Sequence, residues 1–258
     1  VGVAAFEWCS NLTSELVIPN SVKRIEGWAF KETKLTGIKW GNGLTYIGQC
    51  AFYCCYNLAG DGLVIPEGVE AIDGDAFNAC YNLTGELVIP NSVKTIGGGA
   101  FNGCSGFTSV RMGSGVQTIG NDAFGWMGWK AKDVYITDLS AWCKIDFNGS
   151  NPLNGGANLH LNGELLTDLV IPDDITEIKP YAFHNCKSIN TVDLGNTISI
   201  GDYAFYGCDN LIGELVIPNS VTNIGYSVFY GCRNLAGLSI GDGVTVVSNA
   251  TFYDWRNL

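Results

Sequence analysis

Ten cysteines and two histidines are the side chains of this 258-residue sequence best suited to metal binding, disulfide formation or nucleophilic chemistry. Seven of the cysteines, Cys9, Cys55, Cys80, Cys104, Cys186, Cys208 and Cys232, each stand three residues after a phenylalanine. Placement this regular predicts a column of buried thiols, because a free cysteine behaves as a small apolar side chain. Stacked members would have Cα atoms within disulfide range, but their side chains would run side by side, so the column is expected to stay reduced. Cys50, Cys54 and Cys55 form a local cluster with no nearby histidine and no paired C-x-x-C, so a zinc site is not expected. His160 and His184 are both expected at the surface, and no serine or cysteine nucleophile pairs with either through a known motif. Asp73-Gly74-Asp75 resembles half a calcium loop without the remaining ligands and reads as a solvated turn. No catalytic residue, metal site or cofactor is expected, and the chain is not read as an enzyme.

Composition narrows the partners. The net charge is −11 with no cluster of Lys or Arg, which argues against nucleic acid and against an anionic membrane surface. No apolar run approaches the ~20 residues that span a bilayer. Apolar residues make up 47% of the chain and charged residues only 15%. A continuous core with little charge outside it follows, and 34 glycines suit a chain that turns many times.

The elements that must position these residues are repeats. Gly85 to Cys104, GELVIPNSVKTIGGGAFNGC, returns nearly verbatim as GELVIPNSVTNIGYSVFYGC at Gly213 to Cys232. One phenylalanine marks each copy: Phe6, Phe30, Phe52, Phe77, Phe101, Phe124, Phe183, Phe205, Phe229 and Phe252. A period of about 23 residues is the mark of a solenoid whose coils stack on their neighbours. Alternation in E-L-V-I predicts a strand, with Leu87 and Ile89 inward and Glu86 and Val88 outward, ended by Pro90. Val93 and Ile96 re-enter the core from a second short extended piece, and A-F-x-x-C has room for one helical turn. In IKWGNG, VRMGSG, VDLGN and LSIGDG, Gly or Asn replaces the proline turn. A 59-residue gap between Phe124 and Phe183 breaks the period. Asp133 to Phe147 reads as a degenerate coil and Asn148 to Asn158 as loop; Asn162-Gly163 predicts a hairpin turn bulging from the wall.

The repeats IP-x-x-V-x-x-I-G-x-x-AF-x-x-C resemble the BspA-like class of leucine-rich repeat over nearly the whole chain. The resemblance implies a right-handed solenoid with a parallel sheet on its concave side. It also implies a bacterial, sometimes protist, surface or secreted protein used in adhesion and protein binding. Thr33, Met127 and Trp255 depart from the pattern, standing where cysteine is expected. The expected fold is therefore mainly β: one leucine-rich-repeat solenoid over residues 1–258, one parallel strand per coil, little helix. Coils fill 1–132 and 167–258, and a degenerate coil plus β-hairpin fills 133–166. Solenoids need polar caps, and both chain ends fall inside a repeat, so the sequence is read as part of a longer chain.

The candidate binding residues are the outward strand positions Val17, Lys39, Val64, Val88, Arg111, Val170, Asp193, Val216 and Ser239. Stacked in register they would form an extended solenoid face of the kind that binds partners. The exposed aromatics expected after the coil phenylalanine, Tyr53, Tyr206, Tyr230 and Tyr253, are a second candidate surface. The function this suggests is adhesion or protein binding at the cell surface or as a secreted protein. Host or neighbouring-cell surface proteins are the partners, with glycans as a second ligand class. The alternative is an architectural spacer or accessory module displaying another domain.

Overall fold

The computed structural model describes residues 1–125 and 132–257. The chain divides into two compact units, Val1–Lys132 and Asp133–Leu258. In the first unit each coil supplies a pair of strands: β1 (Glu15–Val17) and β2 (Arg24–Ile25), β3 (Gly37–Lys39) and β4 (Tyr46–Ile47), β5 (Gly60–Val64) and β6 (Ala71–Ile72), β7 (Leu83–Ile89) and β8 (Thr95–Ile96), β9 (Gly106–Met112) and β10 (Thr118–Ile119). The first strands pair in parallel, β1 with β3 and β5 with β7 with β9, placing Leu63 beside Leu87 and Leu87 beside Val110. The two-residue strands form a second parallel ladder, β2-β4-β6-β8-β10, that lines up Ile25, Ile47, Ile72, Ile96 and Ile119. All five isoleucines are 0–1% exposed. Strand alternation thus puts leucine and isoleucine into one continuous core, as the period of two requires.

Behind the two ladders run the phenylalanines. Phe6, Phe30, Phe52, Phe77, Phe101 and Phe124 stack face to face with ring centroids 5.1–5.7 Å apart. The A-F-x-x-C segment that holds them is not a helical turn. It is a run of overlapping tight turns whose amides alternate in direction. The Ala51, Tyr53 and Cys55 amides donate to carbonyls three residues back, while those of Cys50, Phe52 and Cys54 donate to Gly74, Ala76 and Asn78 of the next coil. To alternate in this way, the residues two before and two after the phenylalanine adopt left-handed backbone, φ 54° at Cys50 and 57° at Cys54. Glycine fills those slots around Phe101, at Gly99 and Gly103. Gly207 and Gly231 hold the second slot after Phe205 and Phe229, and at the other described slots non-glycine residues take this conformation, tolerated because neighbouring coils over-determine it.

The change from proline to glycine turns also has a packing cause. A Cβ on Gly41 would lie 2.5 Å from the Pro19 carbonyl oxygen, and one on Gly113 2.4 Å from that of Pro90. At Gly43 and Gly115 the clash would be with the Asn20 and Asn91 carbonyls, at 2.0 and 1.8 Å. The same two asparagines accept amide hydrogen bonds, through their side chains, from Asn42 and Ser114. A P-N coil is therefore complementary to the G-x-G coil that follows it.

The second unit opens with β11 (Asp133–Ile136), helix α1 (Leu139–Cys143), β12 (Asp146–Phe147), β13 (Asn158–Leu161) and β14 (Glu164–Leu165). The predicted turn at Asn162-Gly163 is present, joining β13 to antiparallel β14, but the hairpin does not simply bulge from a wall. Its first strand pairs in parallel with β11 along its whole length. Helix α1 is a further departure from the expected coil. Asp138 caps it, accepting from the Ala141 amide at 2.9 Å, and buried Trp142 donates its indole N–H to the Ala182 carbonyl at 3.0 Å. Coils then resume: β15 (Asp168–Val170) and β16 (Glu177–Ile178), β17 (Thr191–Asp193) and β18 (Ser199–Ile200), β19 (Gly213–Ile217) and β20 (Asn223–Ile224), and β21 (Leu235–Ile240). Their pairing repeats the first unit, β15 with β17, β19 with β21 and β16-β18-β20 behind, and Phe183, Phe205, Phe229 and Phe252 stack at 5.2–6.0 Å.

Phe101 is fully buried between two stacked rings, so Phe101→Ala should cost about 3–5 kcal/mol. Val17→Ala, at an exposed position, should stay within about 0.5 kcal/mol of the parent. Urea unfolding of both variants is the measurement, and equal losses would contradict the packing described.

Candidate binding surface

The outward strand positions lie where strand alternation predicts. Val17, Val64, Val170 and Val216 are 53–61% exposed, and Lys39, Arg111, Asp193 and Ser239 are exposed too. Val88 is the exception: it is half-buried between Val64 and Arg111, its partners on the two adjacent strands. In register, the first unit presents Val17 beside Lys39 and Val64 beside Val88 beside Arg111. The second presents Val170 beside Asp193 and Val216 beside Ser239. The cations are not isolated. Arg111 pairs with Glu86 at 3.0 Å and Lys39 with Glu15 at 3.6 Å, each across to the preceding coil. Pairs this exposed contribute little stability, so their charges remain available to a partner.

Among the described residues the strand ladder is interrupted within each unit, twice in the second, where β13 also stops short of β15, a feature sequence reasoning missed. In the first unit the ladder stops between β3 and β5, and in the second between β17 and β19. Both breaks fall where a three-residue strand meets a longer one. A cavity of about 320 Å³ opens at each: Trp40, Leu58, Leu63 and Leu83 contribute to the first, Leu211, Ile212, Leu215 and Leu235 to the second. The available signal was the irregular A-G-D-G at Ala59–Gly62, where the β5–β7 register shifts.

The cysteine column is buried from Cys55 onward, but Cys9 is exposed. The thiols do more than fill space. Cys55, Cys80, Cys104, Cys208 and Cys232 each donate to the carbonyl of a phenylalanine one coil earlier, Phe30, Phe52, Phe77, Phe183 and Phe205, at 3.0–3.3 Å. The two described departures supply other donors. Trp255 donates its indole N–H to Phe229 O one coil earlier at 2.9 Å, whereas buried Thr33 donates its hydroxyl to Phe30 O of its own coil at 2.9 Å. Met127 lies outside the described residues. Burial pushes the Cys104 thiol up to about 12 and Cys55 to about 11, which leaves almost no reactive thiolate at neutral pH.

The aromatic candidates differ from the exposed row expected. Tyr53, Tyr206 and Tyr230 are half-buried, and only Tyr253 is exposed. His184, Tyr206, Tyr230 and Tyr253 stack in one column at 4.8–5.0 Å, covering each other's faces. His184 is thus not a surface residue. Burial, with the Lys187 charge second, pushes its imidazole down to about 4. His160 is likewise tucked in, its Nε2 2.8 Å from Asp133 Oδ1 and its ring against Tyr135. The histidines lie in separate packing environments and neither adjoins a nucleophile. Among the described residues no group of three His, Cys, Asp or Glu side chains could hold a metal, and no helix is long and apolar enough to cross a membrane.

Coils of one strand, a proline or glycine turn, a short second strand and a phenylalanine turn define a leucine-rich-repeat solenoid. A family model described as BspA type Leucine rich repeat region matches residues 1–130 and 157–258, and the chain belongs to that family. No curated protein matches the chain. Solved structures similar to it include a leucine-rich repeat protein from Eubacterium ventriosum, 20% identical with a TM-score of 0.47, over 77% of this chain and 64% of that one. Another is a T. pallidum leucine-rich repeat protein, 24% identical with a TM-score of 0.48, over 68% of this chain and 78% of that one. A leucine rich cell surface protein from Faecalibacterium prausnitzii is 18% identical with a TM-score of 0.44, over 95% and 86% of the two chains. The chain thus spans just under two thirds of the Eubacterium protein's length.

Two outcomes follow from the buried thiols and the buried histidine. Under native conditions an alkylating reagent should label Cys9 and, more slowly, half-buried Cys50, while the column from Cys55 to Cys232 reacts only after unfolding. Intact-mass analysis reads this directly, and a bond between Cys80 and Cys104 would contradict it. His184 is held neutral in the fold with its pKa near 4, against about 6.5 unfolded, so the unfolded chain takes up the proton first. Its contribution is therefore complete above about pH 6.5 and is lost as pH falls toward 4, up to about 3 kcal/mol. His184→Tyr, which continues the tyrosine column, should flatten the fall in urea midpoint over that window relative to the parent.

Proposed function

We propose that the chain is a non-enzymatic binding module of a bacterial surface or secreted protein, taking host or neighbouring-cell proteins on its outward strand faces. The observation that carries this is the register of those faces. Short, exposed side chains from successive coils lie side by side on a rigid parallel sheet, with ion pairs near them and the core sealed behind. Leucine-rich repeats of this kind are typically non-catalytic binding modules, and the Faecalibacterium protein is a cell surface protein. Glycan is the second ligand class. The β13–β14 hairpin offers a competing site, because Glu164 and Leu165 at its tip strand are exposed.

The test begins with a binding screen against extracellular-matrix proteins and glycans. For a ligand so found, Arg111→Glu should weaken binding by at least about 1 kcal/mol while thermal stability stays close to the parent, since the Arg111–Glu86 pair is exposed. Shortening the hairpin at Asn162-Gly163 is the control. Binding that survives the Arg111 change and vanishes with the hairpin assigns the ligand to the hairpin.

A further inference from the structure

We propose that the two interrupted ladders, between β3 and β5 and between β17 and β19, are slots for an extended peptide carrying Lys or Arg. This rests on the reading of the chain as a protein-binding module and names the chemistry of one of its ligands. The first support is recurrence: a break at the same step, from a three-residue to a five-residue strand, occurs in each unit with the same cavity volume of about 320 Å³.

The second is backbone polarity. In a parallel ladder successive residues direct their N–H and C=O groups to opposite neighbours. The Ile18 amide donates to Lys39 O at 2.8 Å and the Ile65 amide to Val88 O at 3.0 Å. Those bonds point Lys39 and Ile65 away from the first slot, so alternation directs the backbone groups of Ile38 and Val64 into it. In the second unit the Ile171 amide donates to Asp193 O at 2.9 Å and the Gly241 amide to Ile217 O at 2.8 Å. Val192 and Val216 are thereby directed into the second slot. Strand edges of this kind pair with an added extended segment, whose alternate side chains then enter whatever pockets lie beside them.

The third is the lining. Each lining mixes main chain and a glutamate with apolar side chains, Ile38, Trp40 and Leu63 in the first and Val192, Ile212 and Leu215 in the second, and a second hollow of about 390 Å³ continues the first slot past Trp40 and Val64. Acid outweighs base in both units: Glu15 and Glu67 against Lys39 in the first, Glu214 in the second. Within a chain of net charge −11 this favours a cationic segment over an acidic one. Polar groups supplied by main chain, beside apolar side chains, fit a peptide better than a sugar.

The probe is a fluorescein-labelled octapeptide of alternating Lys and Val, measured by fluorescence anisotropy with the full 258-residue chain at 150 mM salt, roughly physiological ionic strength. The counterpart peptide alternates Glu and Val. Lysine at Val64 and Val216, whose main-chain groups face the slots and whose side chains are exposed, should leave thermal melting unchanged. The V64K/V216K double variant should bind the Lys-Val peptide at least about tenfold more weakly, one decade of affinity. V3K/V246K, with the same charge change at exposed positions outside the slots and off the strand faces, should bind as the parent does. Equal weakening in the two double variants, equal binding of the Glu-Val peptide, or no binding of the Lys-Val peptide would each overturn the proposal. If the slots fail in this way while Arg111→Glu still weakens a protein ligand, the slot assignment alone falls and the strand-face reading stands.

Discussion

The constraint on which the rest depends is the hydrogen bond from each coil phenylalanine to the small residue before the next one. Phe30 donates to Ala51, Phe52 to Ala76, Phe77 to Ala100 and Phe101 to Ala123, at 2.7–2.8 Å. Phe183, Phe205 and Phe229 repeat the bond to Ala204, Val228 and Thr251 at 2.8–3.0 Å. A single coil closes only half of its turn amides internally. The other half find partners only when a neighbour stacks in register, and a buried amide without a partner costs about 1–3 kcal/mol. Registration of these turns brings the rings into face-to-face contact, aligns the isoleucine column and sets which strand residues face outward. Left-handed backbone at two positions per coil is the local strain this arrangement sustains.

Neighbouring coils are matched as well as stacked. Asparagine after proline offers its side-chain oxygen to the next coil, which must carry glycine where the backbones meet: Asn20 with Gly41 and Gly43, Asn91 with Gly113 and Gly115, Asn219 with Gly241 and Gly243. The thiols play a similar part on the opposite side. Cys55, Cys80, Cys104, Cys208 and Cys232 reach a phenylalanine carbonyl one coil back, and the Trp255 indole stands in for a thiol by making the same bond, whereas Thr33 bonds Phe30 of its own coil. The ladder stays open where matching fails. At β3–β5 and β17–β19 strand length changes, the ladder cannot close, and main-chain groups are left facing a cavity.

Much of this was legible in the chain itself. The period, the inward Leu87 and Ile89, the second strand at Thr95–Ile96 and the Asn162-Gly163 turn all follow from spacing, because strand alternation and turn chemistry are local properties written in residue type. So does the family, whose repeat leaves little freedom at the phenylalanine and cysteine positions. The outward exposure of Val17, Val64, Val170 and Val216 needed only the same alternation.

Tertiary structure decided the remainder, and in each case the cause lies between coils. Left-handed backbone at Cys50, Cys54 and Tyr203 has no signature in those residue types; the reach of alternate amides to the next coil imposes it. Stacking left Tyr206, Tyr230 and His184 half-buried, where one coil alone would leave them in water. Helix α1 is too short to show a helical period and is held by its Asp138 cap and the packing of Trp142. The slots depend on the relation of one strand's length to its neighbour's. A repeat sequence specifies its own coil, but where two coils fail to pair is settled only when they are stacked.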